Sequence, residues 1–530
     1  MTDASSTTDA SAASRLDGLT SWHADWSGLK VAVLGLGVTG FAVADTLTEL
    51  GADVLVLAPA RDDDRARILE VIGAKLVTDP LETVPRELVG FGAELVVASP
   101  GFPPSHPVLE WARANGVPVW GDIELAWRVR DKVNAGEWVL VTGTNGKTTT
   151  VQLTATLLAA NGLRAAPCGN IGVPVLDAVR DPSGFDVFVV ELSSFQLHHM
   201  PTTGPGAVHP WASVVLNLAD DHLDWHGSPE AYAAAKAKVY ENVKVACVYN
   251  RADDATRRMV EDAEVEEGAR AIGFGLDAPG PSDFGVVDGI LVDRAFLEER
   301  RTAAFEITTR DELAPRGLDA PHIVANILAA SALVRSLDVP VAVVHDALLD
   351  FRLDAHRIET VALAGGIRWI DDSKATNPHA AEASLKAFGK VVWIVGGLLK
   401  GVDADALVAS HVGRLRAAIV IGRDRTALVS AFARHAPELP LFEVVAGQTE
   451  EVMPEAVALA AAVAEEGDTV LLAPAAASMD QFADYADRGR RFHDAVHSML
   501  GGAADGEAAE AAPEDEPRGG SVDGSTREDG

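Results

Sequence analysis

Residues Val139 to Thr150 read VLVTGTNGKTTT, an apolar run that ends in glycines, a lysine and threonines. Glycines let a backbone close on phosphate oxygens, a lysine adds a point charge, and a threonine hydroxyl can reach Mg²⁺. The common loop pattern G-x-x-x-x-G-K-[ST] does not fit, because Val141 stands five residues before Gly146. A glycine turn with an exposed lysine is the bland alternative. A strand passing straight into a helix opened by Lys147, Thr148 and Thr149 favours phosphate. Glu191 closes the apolar run of DVFVVELSS, where a strand-end carboxylate suits Mg²⁺ but could equally be a solvated acid. His222 lies among Asp220, Asp221 and Asp224, and Lys236 lies in AAAKAKVYEN on a helical stretch. Exposure on the surface is the ordinary expectation for both.

A second glycine loop, GLGVTG, places Gly35, Gly37 and Gly40 between a strand and a helix. That spacing fits a dinucleotide, which also wants an acidic residue about 20 positions on, at the end of the next strand. Here that strand ends in Ala58, Pro59 and Ala60, and Asp62 to Asp64 fall beyond it. NAD, a packing turn and another phosphate-bearing ligand at the helix N-terminus all stay open.

The elements that must position these groups alternate. Runs such as KVAVLGLG, ADVLVLAP, WVLVTG, DVFVVELSS, ASVVLNL, VVWIVGG, AAIVIG and TVLLAPAAAS are separated by helical periodicity, as in parallel α/β sheets. They fall into three groups, matching the roughly three domains that 530 residues imply. The boundaries expected are a tail at 1–23 without order, domains at 24–130, 131–352 and 353–502, and a disordered acidic tail at 503–530.

Composition narrows the function classes. The formal charge of -34 opposes nucleic-acid binding. No run approaches the ~18 apolar residues of a membrane helix, and MTDASSTTDASAAS lacks the features of a secretory signal. Cys168 and Cys247 are the only cysteines, too few for a disulfide framework or a cysteine zinc site, so a reducing cytoplasm is expected.

GTNGKTT, GNIG (Gly169 to Gly172), ELSSFQL, NLADDHLD and AAAKAKVYEN together resemble the Mur ligases of peptidoglycan synthesis. AHRIE, DDSKATNPHA and PAAASMDQF, with GLGVTG and SPGFP, resemble those members that add D-glutamate, and the likeness covers about residues 28–500. It implies an α/β chain of three domains: Rossmann-like, central P-loop ATPase-like with a mostly parallel sheet, and Rossmann-like again. It also implies ATP-dependent joining of D-glutamate to UDP-N-acetylmuramoyl-L-alanine (UDP-MurNAc-L-Ala) by a monomer acting on small molecules, with no nucleic acid or membrane.

The site residues follow from the same resemblance. Gly143, Thr144, Asn145, Gly146, Lys147, Thr148 and Thr149 would cradle ATP, with Asn326 and Arg357 at the nucleotide and Asp372 at its ribose. Thr148 and Glu191 would hold one Mg²⁺; His222 and a Lys236 carbamylated by CO₂ would hold a second. Asn170 would touch the muramoyl substrate, and Val38, Thr39, Ser99 and Gly101 its uridine diphosphate. Lys374, Thr376, Lys400, Ser478 and Tyr485 would handle D-glutamate and the acyl phosphate. Ala58-Pro59-Ala60, Ile323 and Leu398 depart from the family's pattern, which places polar or acidic residues there.

Overall fold

A computed structural model describes residues 15–353, 355–399 and 403–510, so Lys400 lies outside the described residues. The chain forms two compact units that divide between residues 354 and 355.

The first unit contains two sheets. β1 (Lys30–Leu34), β2 (Asp53–Ala58), β3 (Lys75–Thr78), β4 (Leu95–Ala98) and β5 (Val119–Gly121) form a parallel sheet in the order β3-β2-β1-β4-β5. Its order reverses beside β1, the place where open α/β sheets receive ligands. The second sheet uses β6 (Glu137–Thr142), β7 (Ala165–Gly169), β8 (Val187–Glu191), β9 (Ala212–Val215), β10 (Ala246–Asn250) and β11 (Arg270–Phe274). It continues through β12 (Asp283–Val287), β13 (Ile290–Asp293) and β14 (Phe305–Thr309), in the order β14-β13-β12-β11-β10-β9-β6-β8-β7. Pairing is parallel from β7 to β12 and antiparallel at the β12-β13-β14 edge. β8 is buried along its whole length, and its unbroken apolar run reflects helices on both faces. β6 sits between β8 and β9, so its C-terminal end delivers the glycine loop to the middle of the sheet.

The second unit is a six-stranded sheet. β15 (Glu359–Ala364) and β16 (Ile367–Asp371) form an antiparallel hairpin, joined by parallel β17 (Val391–Gly396), β18 (Leu415–Ile421), β19 (Leu441–Glu443) and β20 (Thr469–Leu472). The order is β15-β16-β20-β17-β18-β19. The hairpin turns on Gly365 and Gly366, both at positive φ, the conformation that a tight two-residue connection demands.

Residues 15–23 correct the expectation of an unordered tail through 23. Leu16 and Leu19 are buried, and the Arg128 guanidinium donates to both their carbonyls. Ser21 and Trp22 bond the Asp131 carboxylate. A polar average over the first 23 residues hid these apolar anchors; residues 1–14 lie outside the described set. At the other end the helix Tyr485–Glu510 continues past residue 502, in a stretch rich in alanine and glutamate, both good helix formers. Residues 511–530 of the acidic tail are likewise not described. Among the described residues no single helix is long and apolar enough to cross a membrane.

Ion pairs from Arg180 to Asp45 and Glu49 tie the two sheets of the first unit together, as does Gln196 Nε2 donating to Asp122 Oδ2 at 2.8 Å. Burial pushes the Asp122 carboxyl up to about 6, against the Gln196 hydrogen bond that favours ionisation. The folded chain therefore holds this proton more tightly than the unfolded chain does. The contribution of this group to stability is greatest below the unfolded value of 3.8 and falls as pH rises toward 6. The penalty at neutral pH is about 3 kcal/mol. Asp122→Asn is therefore expected to raise the thermal midpoint at pH 8 and to leave it nearly unchanged at pH 4. Equal midpoints at pH 8 would show that the folded state does not bear this cost.

Candidate active site

The loop after β6 admits no side chains at its glycines. A Cβ on Gly146, at φ +84, would lie 2.5 Å from Asn326 Oδ1, and one on Gly143 would meet Leu216 Cβ at 3.0 Å. Asn326 comes from the buried helix Pro321–Arg335, whose Ile323 is 3% exposed and belongs to the core rather than to an open pocket wall. The loop is pinned from the β9 side. Asn217 accepts from Asn145 N at 2.9 Å and donates to Asn145 O at 3.1 Å. Thr144 Oγ1 accepts from Ala219 N and lies 3.0 Å from the Tyr232 hydroxyl. Lys147 opens the helix Lys147–Ala160, its Nζ donating to Gly143 O and Thr144 O, each at 2.9 Å. Thr148 is half-buried beside it, and Thr149 Oγ1 is buried without a hydrogen-bond partner.

Acid and base meet the same loop. Glu191 ends β8 in register with Val141 and is 2% exposed. Its Oε1 accepts from Asn170 Nδ2 at 3.1 Å, while its buried Oε2 has no partner. An orphaned buried carboxylate oxygen is costly unless a cation sits on it, so this site fits a metal ion. His222 adopts a left-handed backbone, φ 52, with its ring edge-on to Phe195 and its Nε2 3.6 Å from Asp221 Oδ2.

Lys236 does not follow the expectation of exposure. It is 2% exposed, and its Nζ donates to Gly143 O at 2.9 Å and Thr142 Oγ1 at 3.3 Å. Burial, and then the nearby Lys147 charge, hold its amine well below the usual lysine range; Asp221 and Glu191 pull the other way. Lys238 points elsewhere, to His198 O and Met200 O. The structure thus brings Lys147, Glu191, Asn170 and Lys236 onto one loop end.

At the β1 loop, Ser99 Oγ is buried without a partner and would lie 2.7 Å from a Cβ on Gly35. Val38 and Gly101 are exposed and Thr39 half-buried, an open rim over that hydroxyl. Asp62 accepts from Arg65 N as a helix cap and pairs with its guanidinium, so it is committed away from a ribose; Ala58 is buried.

In the second unit, Asp372 is buried and pushed up to about 7 by that burial, with the Ser384 hydroxyl donating to it and the Arg357 charge favouring ionisation. Lys374 Nζ stands 3.7 Å from the centre of the Tyr485 ring, Thr376 is half-buried next to it, and Ser478 is buried. Leu398 is 45% exposed and bridges Ala477 through its backbone, so its side chain is free of that pairing. Four residues that the sequence did not single out support these groups: Asn217, Tyr232, Ser384 and Arg488. Asn217 opens the NLADDHLD stretch, the one signal that could have found it.

Three family models match the chain: the Mur ligase MurD-like N-terminal domain over residues 29–121, the Mur ligase middle domain over 141–334, and the Mur ligase glutamate ligase domain over 356–476. A UDP-N-acetylmuramoylalanine–D-glutamate ligase of Leifsonia xyli subsp. xyli is 66% identical over 507 residues, covering 94% of this chain and 98% of the relative. One of the same name from Streptomyces avermitilis is 51% identical over 479 residues, covering 90% and 99%. Among solved structures, a UDP-N-acetylmuramate–alanine ligase of Thermotoga maritima superposes with a TM-score of 0.51 at 20% identity, covering 89% of this chain and 99% of that one. A pseudomurein peptide ligase type C of Methanothermus fervidus gives 0.52 at 18%, covering 89% and 100%. These two likenesses concern the fold.

Proposed function

The chain belongs to the Mur ligase family, and we propose that it is the ATP-dependent ligase joining D-glutamate to UDP-MurNAc-L-Ala in peptidoglycan precursor synthesis. A carboxylate is a poor electrophile. The γ-phosphoryl group of ATP moves to an oxygen of the L-alanyl carboxylate, giving an acyl phosphate and ADP. The D-glutamate amine attacks the acyl carbon, and the tetrahedral intermediate expels phosphate, leaving the amide. Catalysis of such steps is mainly positioning and charge neutralisation.

In this reading Lys147 carries the β- and γ-phosphates on the Gly143–Thr149 loop, with Asn326 and Arg357 at the nucleotide and Asp372 at its ribose. Thr148 and Glu191 would hold one Mg²⁺, and His222 with carbamylated Lys236 a second. Mg²⁺ supplies positive charge against the phosphate oxygens. Asn170 meets the muramoyl group; Val38, Thr39, Ser99 and Gly101 meet the uridine diphosphate. Lys374, Thr376, Lys400, Ser478 and Tyr485 hold D-glutamate and the acyl phosphate. A monomer in the cytoplasm, where both substrates are small and soluble, completes the proposal. The observation that carries it most is the buried, partnerless Glu191 oxygen beside a glycine loop and a buried lysine.

Multiple-turnover ADP release should require ATP, UDP-MurNAc-L-Ala and D-glutamate together, and omission of any one should abolish it. Release that persists without D-glutamate, or that needs a different amino acid, would replace this reading.

A further inference from the structure

The first turn of the helix Tyr485–Glu510 turns two side chains, three residues apart, toward the loops after β16 and β20. Tyr485 places its ring against Lys374. Arg488 is 0% exposed, and its side-chain nitrogens donate to those loops. Nε donates to Ser373 Oγ at 2.9 Å, one terminal nitrogen to Ser373 O at 2.8 Å, and the other to Ala476 O at 3.1 Å. Ser373 Oγ in turn donates to Tyr485 O at 2.7 Å. Among the described residues no carboxylate pairs with this guanidinium. Burial disfavours its charge, which Asp480 and Asp371 support only from beyond ion-pair distance, and an apolar side chain could have filled the same volume. What the arginine adds is a planar fork that fixes two carbonyls relative to each other.

Those carbonyls belong to different loops. The loop after β16 bears Lys374 and Thr376, and the loop after β20 bears Ser478. The loops touch directly where Ala475 N donates to Ala375 O at 2.9 Å, with Ala475 held at φ 59, a conformation uncommon outside glycine. The second loop is also bonded to the exit of β17, through Leu398 N to Ala477 O at 2.8 Å and Ala477 N to Leu398 O at 3.1 Å. Arg488 lies behind this junction and grips both sides.

We infer that Arg488 is a positioning residue for the amino-acid substrate: its guanidinium sets the spacing between the loop of Lys374 and Thr376 and the loop of Ser478. D-glutamate is held in that spacing, a statement that rests on the proposed function. The glycine loop and the uridine rim belong to the other compact unit, and Asp372, beside Ser373, is held separately by its N–H to Leu472 O at 2.9 Å and by the Ser384 hydroxyl.

The test is steady-state kinetics of Arg488→Lys and Ser373→Ala, varying each substrate in turn. Lysine keeps the charge but not the fork, and alanine removes one hydroxyl. The KM for D-glutamate should rise about tenfold or more in Arg488→Lys, the loss of a hydrogen bond to a charged group, and by a smaller factor in Ser373→Ala. The KM values for ATP and UDP-MurNAc-L-Ala should stay where they are. A merely structural role would lower the amount of active enzyme without separating the three KM values. An unchanged KM for D-glutamate in Arg488→Lys, or a parallel rise in all three, overturns the inference. If that variant does not fold, Ser373→Ala decides by the same criterion. A parent enzyme without D-glutamate-dependent turnover removes the functional reading and the inference with it; an active parent with no KM split removes the inference alone.

Discussion

Lys147→Ala is expected to lower turnover by about 10²–10³-fold, or roughly 3–4 kcal/mol of transition-state stabilisation, the cost of removing one preorganised charge-stabilising donor. Its ammonium is held between Gly143 O and Thr144 O, at the point where the loop enters the helix Lys147–Ala160. Asn217 and Thr144 brace the surrounding backbone, so the loop should persist in the variant and the loss should be confined to the chemistry. Circular dichroism and thermal unfolding should accordingly match the parent, while coupled ADP release collapses. Turnover within tenfold of the parent would remove this lysine from the mechanism.

Lys236→Ala should be nearly inactive and partly rescued by short carboxylates such as formate or acetate. Modification needs a neutral amine, and burial with the adjacent Lys147 charge holds Nζ well below the ordinary lysine range. The lone pair of the neutral nitrogen adds to the carbon of CO₂ and one proton leaves, so the amine becomes an anion whose oxygens suit a hard metal ion. Lys238→Ala should keep most activity, because that side chain bonds His198 O and Met200 O instead. The direct readout is a ¹³C carbamate resonance in enzyme equilibrated with ¹³CO₂, present in the parent and absent from Lys236→Ala. A fully active Lys236→Ala, or no carbamate signal in the parent, ends the proposal.

The glycine loop was legible because its chemistry is local: a strand, two glycines and Lys147 lie within nine residues of chain. The strand-end position of Glu191 was legible for the same reason. Its orphaned oxygen was not, since that depends on what the neighbouring strands leave unfilled. Lys236 shows the limit most clearly. A lysine on a short helix reads as exposed, and only the tertiary placement that brings its Nζ to Thr142 and Gly143 buries it. Arg488 sits in a run with Arg490 and Arg491, and nothing local distinguishes the one whose donors face carbonyls from its two neighbours. Residues 15–23 were misread because a window average diluted Leu16 and Leu19, whose partners are more than a hundred residues away.

The Gly143 carbonyl accepts from Lys147 and from Lys236 alike, each at 2.9 Å. One oxygen thus sets the two amines side by side, and in the proposed mechanism assembly would acquire a sequence in time. Before phosphates reach Lys147, burial and then the Lys147 charge hold the Lys236 amine below the usual lysine range, the form that the proposed reaction with CO₂ needs. Once nucleotide phosphates cover Lys147, the effect of its charge fades and the ammonium form regains favour. If Lys236 is carbamylated as proposed, gas before nucleotide would be the productive order, and an enzyme loaded with ATP first would start with a lag.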